Sequence, residues 1–120
     1  MKTSARNLFS GTVTAVHPGA VSDEVLLRLP GGETLVALVT RASARAMGLA
    51  VGSTVHALVK APWVVLVTEA DGWIFSSRNQ LRGTVVRVAE GAVNAEVILR
   101  LEGGTELAAI VTRESVAALG

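Results

Sequence analysis

The chain has 120 residues, enough for one small domain or two very small ones, and half of them are hydrophobic, so a core can form. Its formal net charge of +1 excludes a strong electrostatic field for nucleic acid or an anionic membrane surface. The absence of cysteine excludes disulfides and thiolate metal sites, and no apolar run approaches the roughly 20 residues needed to cross a bilayer.

Alternating apolar residues predict β-structure in the first half of the chain. In chain order the predicted strands are Gly11–Val16, Glu24–Leu29, Thr34–Thr40, Ser53–Lys60 and Trp63–Thr68. An Ala-rich stretch between the third and fourth strands predicts a short helix, with Thr40 as N-cap and Gly48 at its end. Five strands and one helix in this order predict an all-β fold, a small closed barrel of the OB type.

The second half of the chain repeats the first. A shift of 72 residues aligns positions 4–48 with positions 76–120, and about 25 of the 45 pairs are identical by direct count. The chain is therefore a tandem duplication. Residues 49–68 of the first copy have no counterpart, so the second copy is incomplete.

Three segments follow from this repeat. We predict a first domain at 4–68, a structured linker hairpin at 69–75 and an incomplete second domain at 76–120. In the linker, Asp71-Gly72 is a hairpin-turn signal, and we expect Trp73 and Phe75 to pack rather than to lie free.

Polar residues that recur at matched positions are the candidates for function. They are Ser4/Ser76, Arg6/Arg78, Asn7/Asn79, Glu24/Glu96, Arg28/Arg100, Thr40/Thr112, Arg41/Arg113 and Ser43/Ser115, together with the unmatched Lys60. The set contains hydrogen-bond donors but no nucleophile–base pair. Neither histidine, His17 or His56, recurs or lies near a serine in a recognisable arrangement, so we expect no enzyme activity.

Donors without a base suit the binding of a small oxyanion, because such an ion offers only acceptor oxygens. Structural explanations remain open for several of these residues. Thr40 and Thr112 are typical helix N-caps. Asn7 and Asn79 would then fix the chain as it enters its own strand, while Glu24 and Glu96 would face solvent or pair with arginine.

The sequence resembles the molbindin (Mop) domain, also called the TOBE domain, from Ser4 onward. The resemblance is carried by Ser-Ala-Arg-Asn at 4–7, Gly-Gly at 31–32, Val-Thr-x-x-Ser at 39–43, Leu-Gly-Leu in the variant form Met-Gly-Leu at 47–49, and Lys-Ala at 60–61. The second copy has Ser-Ser-Arg-Asn at 76–79 and Val-Thr-x-x-Ser at 111–115 but no Lys-Ala segment. It is similar to a tandem member of the family.

The resemblance implies a cytoplasmic protein that binds molybdate, and also tungstate, between domains without a further cofactor. The Ser-Ala-Arg-Asn segment of one domain would supply ligands, and the Val-Thr-x-x-Ser and Lys-Ala segments of a neighbour would supply the rest. Carried over here, the ligands are Ser4, Arg6, Thr40, Ser43, Lys60, Ala61, Ser76, Arg78, Thr112 and Ser115. Tandem members form trimers, and the missing second Lys-Ala segment would weaken about half of the sites.

Storage or homeostasis of molybdenum is the function that this resemblance favours. One alternative is the ligand-sensing fragment of a molybdate-responsive regulator or transporter, although no helix-turn-helix precedes Ser4 and no phosphate-binding loop motif is present. Another is an OB-type nucleic-acid binder, against which four aromatic residues and a near-neutral charge argue. We therefore expect neither nucleic acid nor membrane as a partner.

Overall fold

The computed structural model describes residues 2–120, and the first copy forms one antiparallel sheet. Its strands are β1 (Asn7–His17), β2 (Ser22–Arg28), β3 (Thr34–Thr40) and β4 (Thr54–Val59). They lie in the order β3-β2-β1-β4, and helix α1 (Arg41–Met47) connects β3 to β4. The all-β class, the helix and four of the five predicted strands are confirmed.

Strand β1 curls the sheet because it belongs to two ladders. Its first half, Asn7 to Thr12, pairs with β4, and its second half, Thr12 to His17, pairs with β2. A register shift between Val13 and Ala15 marks a bulge, which bends a strand and increases its twist. The sheet can therefore wrap around its own apolar face.

The apolar face of this sheet carries a core that both copies share. Its buried members are Phe9, Val13, Val25, Leu27, Leu29, Leu35 and Leu107. Leu107 comes from the second copy, so the second copy contributes to the packing of the first. Burial of such side chains contributes about 1.5–3 kcal/mol each, and this shared core ties the two copies together.

The second copy forms a three-stranded sheet with the order β5-β6-β7. Its elements are β5 (Gly83–Glu90), β6 (Asn94–Leu101), β7 (Glu106–Thr112) and α2 (Arg113–Leu119). Position 79 matches Asn7, yet β5 begins only at Gly83. Residues 7–12 of β1 pair with β4, whereas no strand of the described chain pairs with residues 79–82 of the second copy. The early part of this strand therefore needs a neighbour to form.

The predicted fifth strand, at Trp63–Thr68, is wrong. A single-turn 3₁₀ helix spans Ala61–Trp63, and the chain beyond it is irregular. Pro62 lies in this turn and has no N–H for a ladder, which favours a break in the strand. Ala61 is nevertheless fully buried, and Val64 packs against the core.

The packed hairpin expected at 69–75 is also wrong. The turn forms, with the Trp73 N–H donating to the Ala70 carbonyl at 3.0 Å, but no strands pair across it. Of the two side chains expected to pack, Trp73 is 72% exposed and Phe75 is 37% exposed, and Ile74 between them is 96% exposed. A two-stranded hairpin is marginal unless a face packs against other structure, and Trp73 and Ile74 find no such surface within the described residues.

Both helices begin and end as expected from local chemistry. Thr40 Oγ1 accepts a hydrogen bond from the Ser43 N–H at 3.1 Å, and Gly48 ends α1 with a φ of 62°. Thr112 caps α2 through Ser115 in the same way. Each helix has seven residues, and neither has the length and hydrophobicity that a membrane crossing requires within residues 2–120.

The two copies are related by a local two-fold arrangement at their hairpin turns. Gly31 lies against Gly103, and Glu33 Oε1 accepts a hydrogen bond from Thr105 Oγ1 at 2.8 Å. Each residue touches its own equivalent, since both pairs are separated by 72 positions. Contacts of this self-matching kind arise only near a two-fold axis.

Replacing Gly103 with alanine is expected to disrupt this contact. The new Cβ would lie 1.9 Å from the Gly31 carbonyl oxygen, so the two turns must separate. We expect a loss of about 1–3 kcal/mol in the free energy of unfolding, measured by urea denaturation. Glu102→Ala, in the same turn and exposed, is the matched control. Equal stability of the two variants would contradict the close approach.

Candidate functional site

Asn7 joins the two copies rather than fixing its own strand. Its side-chain Nδ2 donates to the Ala108 carbonyl at 2.8 Å, and its Oδ1 accepts from the Ala108 N–H at 2.7 Å. The side-chain amide thus forms with Ala108 the two hydrogen bonds that a backbone residue of a strand paired with β7 would form. Asn79 makes the same pair of bonds to Val36 in β3, at 2.9 and 2.7 Å. The second set repeats the first after a shift of 72 residues.

The recurring arginines also cross between copies. Arg6 of the first copy pairs with Glu96 of the second, and Arg78 of the second pairs with Glu24 of the first. The glutamate side chains are 16% and 22% exposed, whereas the arginine side chains are more than half exposed. Of the two alternatives for these glutamates, pairing with arginine is therefore correct.

The segment that contains Ser4 and Arg6 runs along β7 toward α2. Asn7 lies beside Ala108, and Arg6 reaches Glu96, which is opposite Ile110 in the β6–β7 ladder. The residues before Asn7 are therefore expected to lie beside the residues that follow Ala108 in β7, toward Thr112. By the same reciprocity, the residues before Asn79 are expected to lie beside the residues that follow Val36 in β3, toward Thr40.

Lys60 and Ala61 lie on the same side as Arg6. Because Asn7 is opposite Val59 in the β1–β4 ladder, the next position outward brings Lys60 beside Arg6. The 3₁₀ helix that begins at Ala61 packs against β7. Within the chain, the Lys-Ala segment therefore lies near the arginine of its own copy, whereas the resemblance groups it with the arginine of a neighbouring domain.

Hydroxyl pairs stand at the start of each helix. Thr112 Oγ1 accepts from the Ser115 N–H and donates to Ser115 Oγ at 2.9 Å, and Thr40 donates to Ser43 Oγ at 2.8 Å. The threonine hydroxyls are thus occupied by capping, as the structural explanation predicted. The hydroxyl hydrogens of Ser43 and Ser115 have no acceptor among the described contacts, so these serines can donate to a ligand.

If the register continues in this way, the ten predicted ligands would form two sets. The first set is Ser4, Arg6, Lys60, Ala61, Thr112 and Ser115. The second set is Ser76, Arg78, Thr40 and Ser43. Each set would combine the segment of one copy with the helix start of the other, and residues 2–120 supply a lysine to the first set alone.

One serine–histidine contact was missed by the sequence analysis. Ser10 and His56 face each other across β1 and β4, with 3.1 Å between Ser10 Oγ and His56 Nδ1. The contact is exposed, and no carboxylate orients the other ring nitrogen in the part of the chain described. Alternation along the two strands could have found the pair only if their register had been known.

The chemistry of the two sets is that of an anion site. No group of three or more His, Asp or Glu side chains within residues 2–120 could hold a metal ion. Guanidinium, ammonium and hydroxyl groups are donors, and charged donors form the stronger bonds to anionic oxygens. The carboxylates nearby, Glu24 and Glu96, already accept from arginine.

Comparison with known proteins gives consistent results. The family profile described as the TOBE domain matches residues 3–66 and 76–120. The molybdenum transport protein ModE of Azotobacter vinelandii is 46% identical over 120 residues, covering 100% of this chain and 44% of that protein. The molybdenum-pterin-binding protein MopA of Rhodobacter capsulatus is 44% identical, over 100% of this chain and 45% of its own. The chain therefore spans less than half the length of these relatives.

A solved structure matches the whole chain. It is the cytoplasmic molybdate-binding protein ModG with molybdate bound, which is 56% identical with a TM-score of 0.95. The match covers 100% of this chain and 85% of that one.

Proposed function

Because the chain belongs to the TOBE domain family, we propose that it binds molybdate, and also tungstate, as a tetrahedral dianion between its two copies. The observation that carries this proposal is the reciprocal docking of the Ser-x-Arg-Asn segments. Each segment contacts the other copy through its asparagine and its arginine, and we infer that its serine and arginine face the hydroxyl pair at the helix start of that copy. Similarity to the molybdate-binding ModG structure supports the choice of ion.

The first site is the stronger of the two in this proposal. It combines Arg6 and Lys60 with the donors Ser4 and Ser115, so two positive charges face one dianion. For the second site, residues 2–120 supply Arg78, Ser76 and Ser43 and no lysine. Hydrogen bonds to charged groups contribute about 1.5–3 kcal/mol each, so the loss of one ammonium is enough to separate the two affinities.

Selection against phosphate follows from the donor chemistry. Phosphate is partly protonated at neutral pH, and its O–H needs an acceptor. The carboxylates that could accept are engaged by arginine, so a bound phosphate would leave a donor unpaired. Molybdate and tungstate carry no such proton, so they need no hydrogen-bond acceptor from the site.

The biological role that we propose is storage and buffering of the oxyanion in the cytoplasm, without catalysis. We also propose that the chain associates into trimers, by resemblance to tandem molbindins. Strand β5 supports association because Val85, Val86 and Val88 are 51%, 43% and 43% exposed. Strand β5 pairs with β6 on one side only, and exposed apolar groups on such an edge strand are typical of a surface that another chain covers.

Isothermal titration calorimetry of the whole chain tests the proposed function. Molybdate and tungstate are each titrated, with phosphate and sulfate as competing ions, and light scattering gives the mass of the assembly. We expect two classes of site for each chain, with phosphate bound more weakly than molybdate. An absence of molybdate binding, or equal binding of phosphate, would overturn the proposal.

A further inference from the structure

The glutamates beside the two sites have different surroundings. Glu96 accepts from Arg6 of the other copy and also from Arg87, whose Nη2 lies 3.4 Å from Glu96 Oε1. Glu24 accepts from Arg78 alone, through both terminal nitrogens. The position that matches Arg87 in the first copy is Ala15. One glutamate is therefore shared by two arginines, and its equivalent is held by one.

The register shows that this difference comes from the side chain alone. Arg87 is opposite Ile98, two positions from Glu96 on the neighbouring strand, which is the diagonal neighbour in an antiparallel pair. Ala15 is opposite Leu26, two positions from Glu24. The bulge also occurs at matched places in both copies. The backbone arrangement is thus the same on both sides.

The difference changes the charge that an arriving anion meets. Arg6, Glu96 and Arg87 carry a net charge of +1, whereas Arg78 and Glu24 carry none. A carboxylate is the competitor of a dianion for the same guanidinium. Where a second arginine donates hydrogen bonds to the same carboxylate, the carboxylate binds the first arginine less strongly. The Glu96 side chain is 16% exposed, so solvent screens these charges only in part.

We propose that Arg87 is a positioning residue that strengthens oxyanion binding at the first site by sharing Glu96 with Arg6. Ala15 leaves the second site without this support. This inference rests on the proposed function and concerns the same ligand class, a tetrahedral dianion. It adds Arg87 and Glu96 to the residues that set the affinity, although neither needs to touch the ion.

Matched substitutions at the two equivalent positions test the inference. Molybdate is titrated calorimetrically into the whole chain carrying Arg87→Ala, Ala15→Arg or Arg82→Ala. Arg87→Ala is expected to weaken the first site about two- to fivefold, the range of an exposed ion pair, and to leave the second unchanged. Ala15→Arg is expected to strengthen the second site by a similar factor. Arg82→Ala removes the same charge from a side chain that pairs with neither Glu24 nor Glu96 within the described residues, and so controls for net charge.

A double substitution separates positioning from a general structural role. In a Glu96→Gln background, Arg87→Ala is expected to have no further effect on molybdate affinity. The melting temperature without ligand, measured for every variant, is expected to stay close to that of the unmodified chain because the Arg87 side chain is 66% exposed.

Three results would overturn the inference while leaving the proposed function intact. They are unchanged affinity in Arg87→Ala, equal weakening by Arg82→Ala, and a full effect of Arg87→Ala in the Glu96→Gln background. If the unmodified chain does not bind molybdate, the proposed function fails, and the inference fails with it.

Discussion

Replacing Asn7 with alanine is expected to lower the free energy of unfolding by about 2–4 kcal/mol, because two polar groups lose their partners in a buried place. The Asn7 side chain satisfies both the N–H and the carbonyl of Ala108. Asn7 is 3% exposed and Ala108 is 8% exposed, so water cannot easily replace the amide. Urea denaturation followed by circular dichroism measures the loss.

Asn79→Ala is the matched control for this prediction. Asn79 makes the same two bonds to Val36, but it is exposed. Water can take over both bonds, and we expect a loss of only about 0.5–1.5 kcal/mol. If the two variants lose equal stability, burial does not govern these bonds, and the account of the interface between the copies is wrong.

Replacing Arg6 with alanine is expected to weaken molybdate binding at the first site by at least about tenfold, since a hydrogen bond to a charged group is lost. Its side chain is 54% exposed, and the pair with Glu96 contributes about 0–1 kcal/mol to folding. The melting temperature without ligand should therefore change little. Calorimetric titration and a thermal melt on the same sample measure both quantities.

Lys60→Ala tests the same site through a second charged residue. Lys60 belongs only to the first set, so its loss should weaken that site and bring it close to the second in affinity. Arg45→Ala, at the exposed end of α1, removes one charge outside both sets and is the control. Molybdate affinity that is unaffected by Arg6→Ala, or a loss of folding as large as the loss of binding, would assign these residues a structural role.

Local chemistry accounts for the elements that the sequence predicted well. Strand β3 occupies the predicted residues Thr34–Thr40, and α1 lies between its predicted cap and its terminal glycine. Turn residues, a capping hydroxyl and a glycine with positive φ determine the backbone conformation only of residues within a few positions along the chain. Such signals are present in the sequence whatever the rest of the chain does.

Contacts between the copies could not be predicted because periodicity does not say which copy a side chain faces. The repeat identified Asn7, Arg6 and Glu96 as recurring residues but left solvent, the local strand and another domain as equal possibilities. Likewise, spacing along the chain does not give the register of β1 with β4, which sets the position of Lys60 relative to Arg6. The predicted fifth strand did not form because Pro62 favours a turn there, and the linker did not pack because no surface of the described residues covers Trp73 and Ile74.

Crystals of the chain grown with molybdate would test the central claim most directly, through the anomalous scattering of molybdenum. We expect a peak between the Ser4–Arg6 segment beside Lys60 and the hydroxyl of Ser115, within hydrogen-bonding distance of side chains from both copies. An ordered molybdenum peak elsewhere, with this place empty at saturating molybdate, would contradict the account.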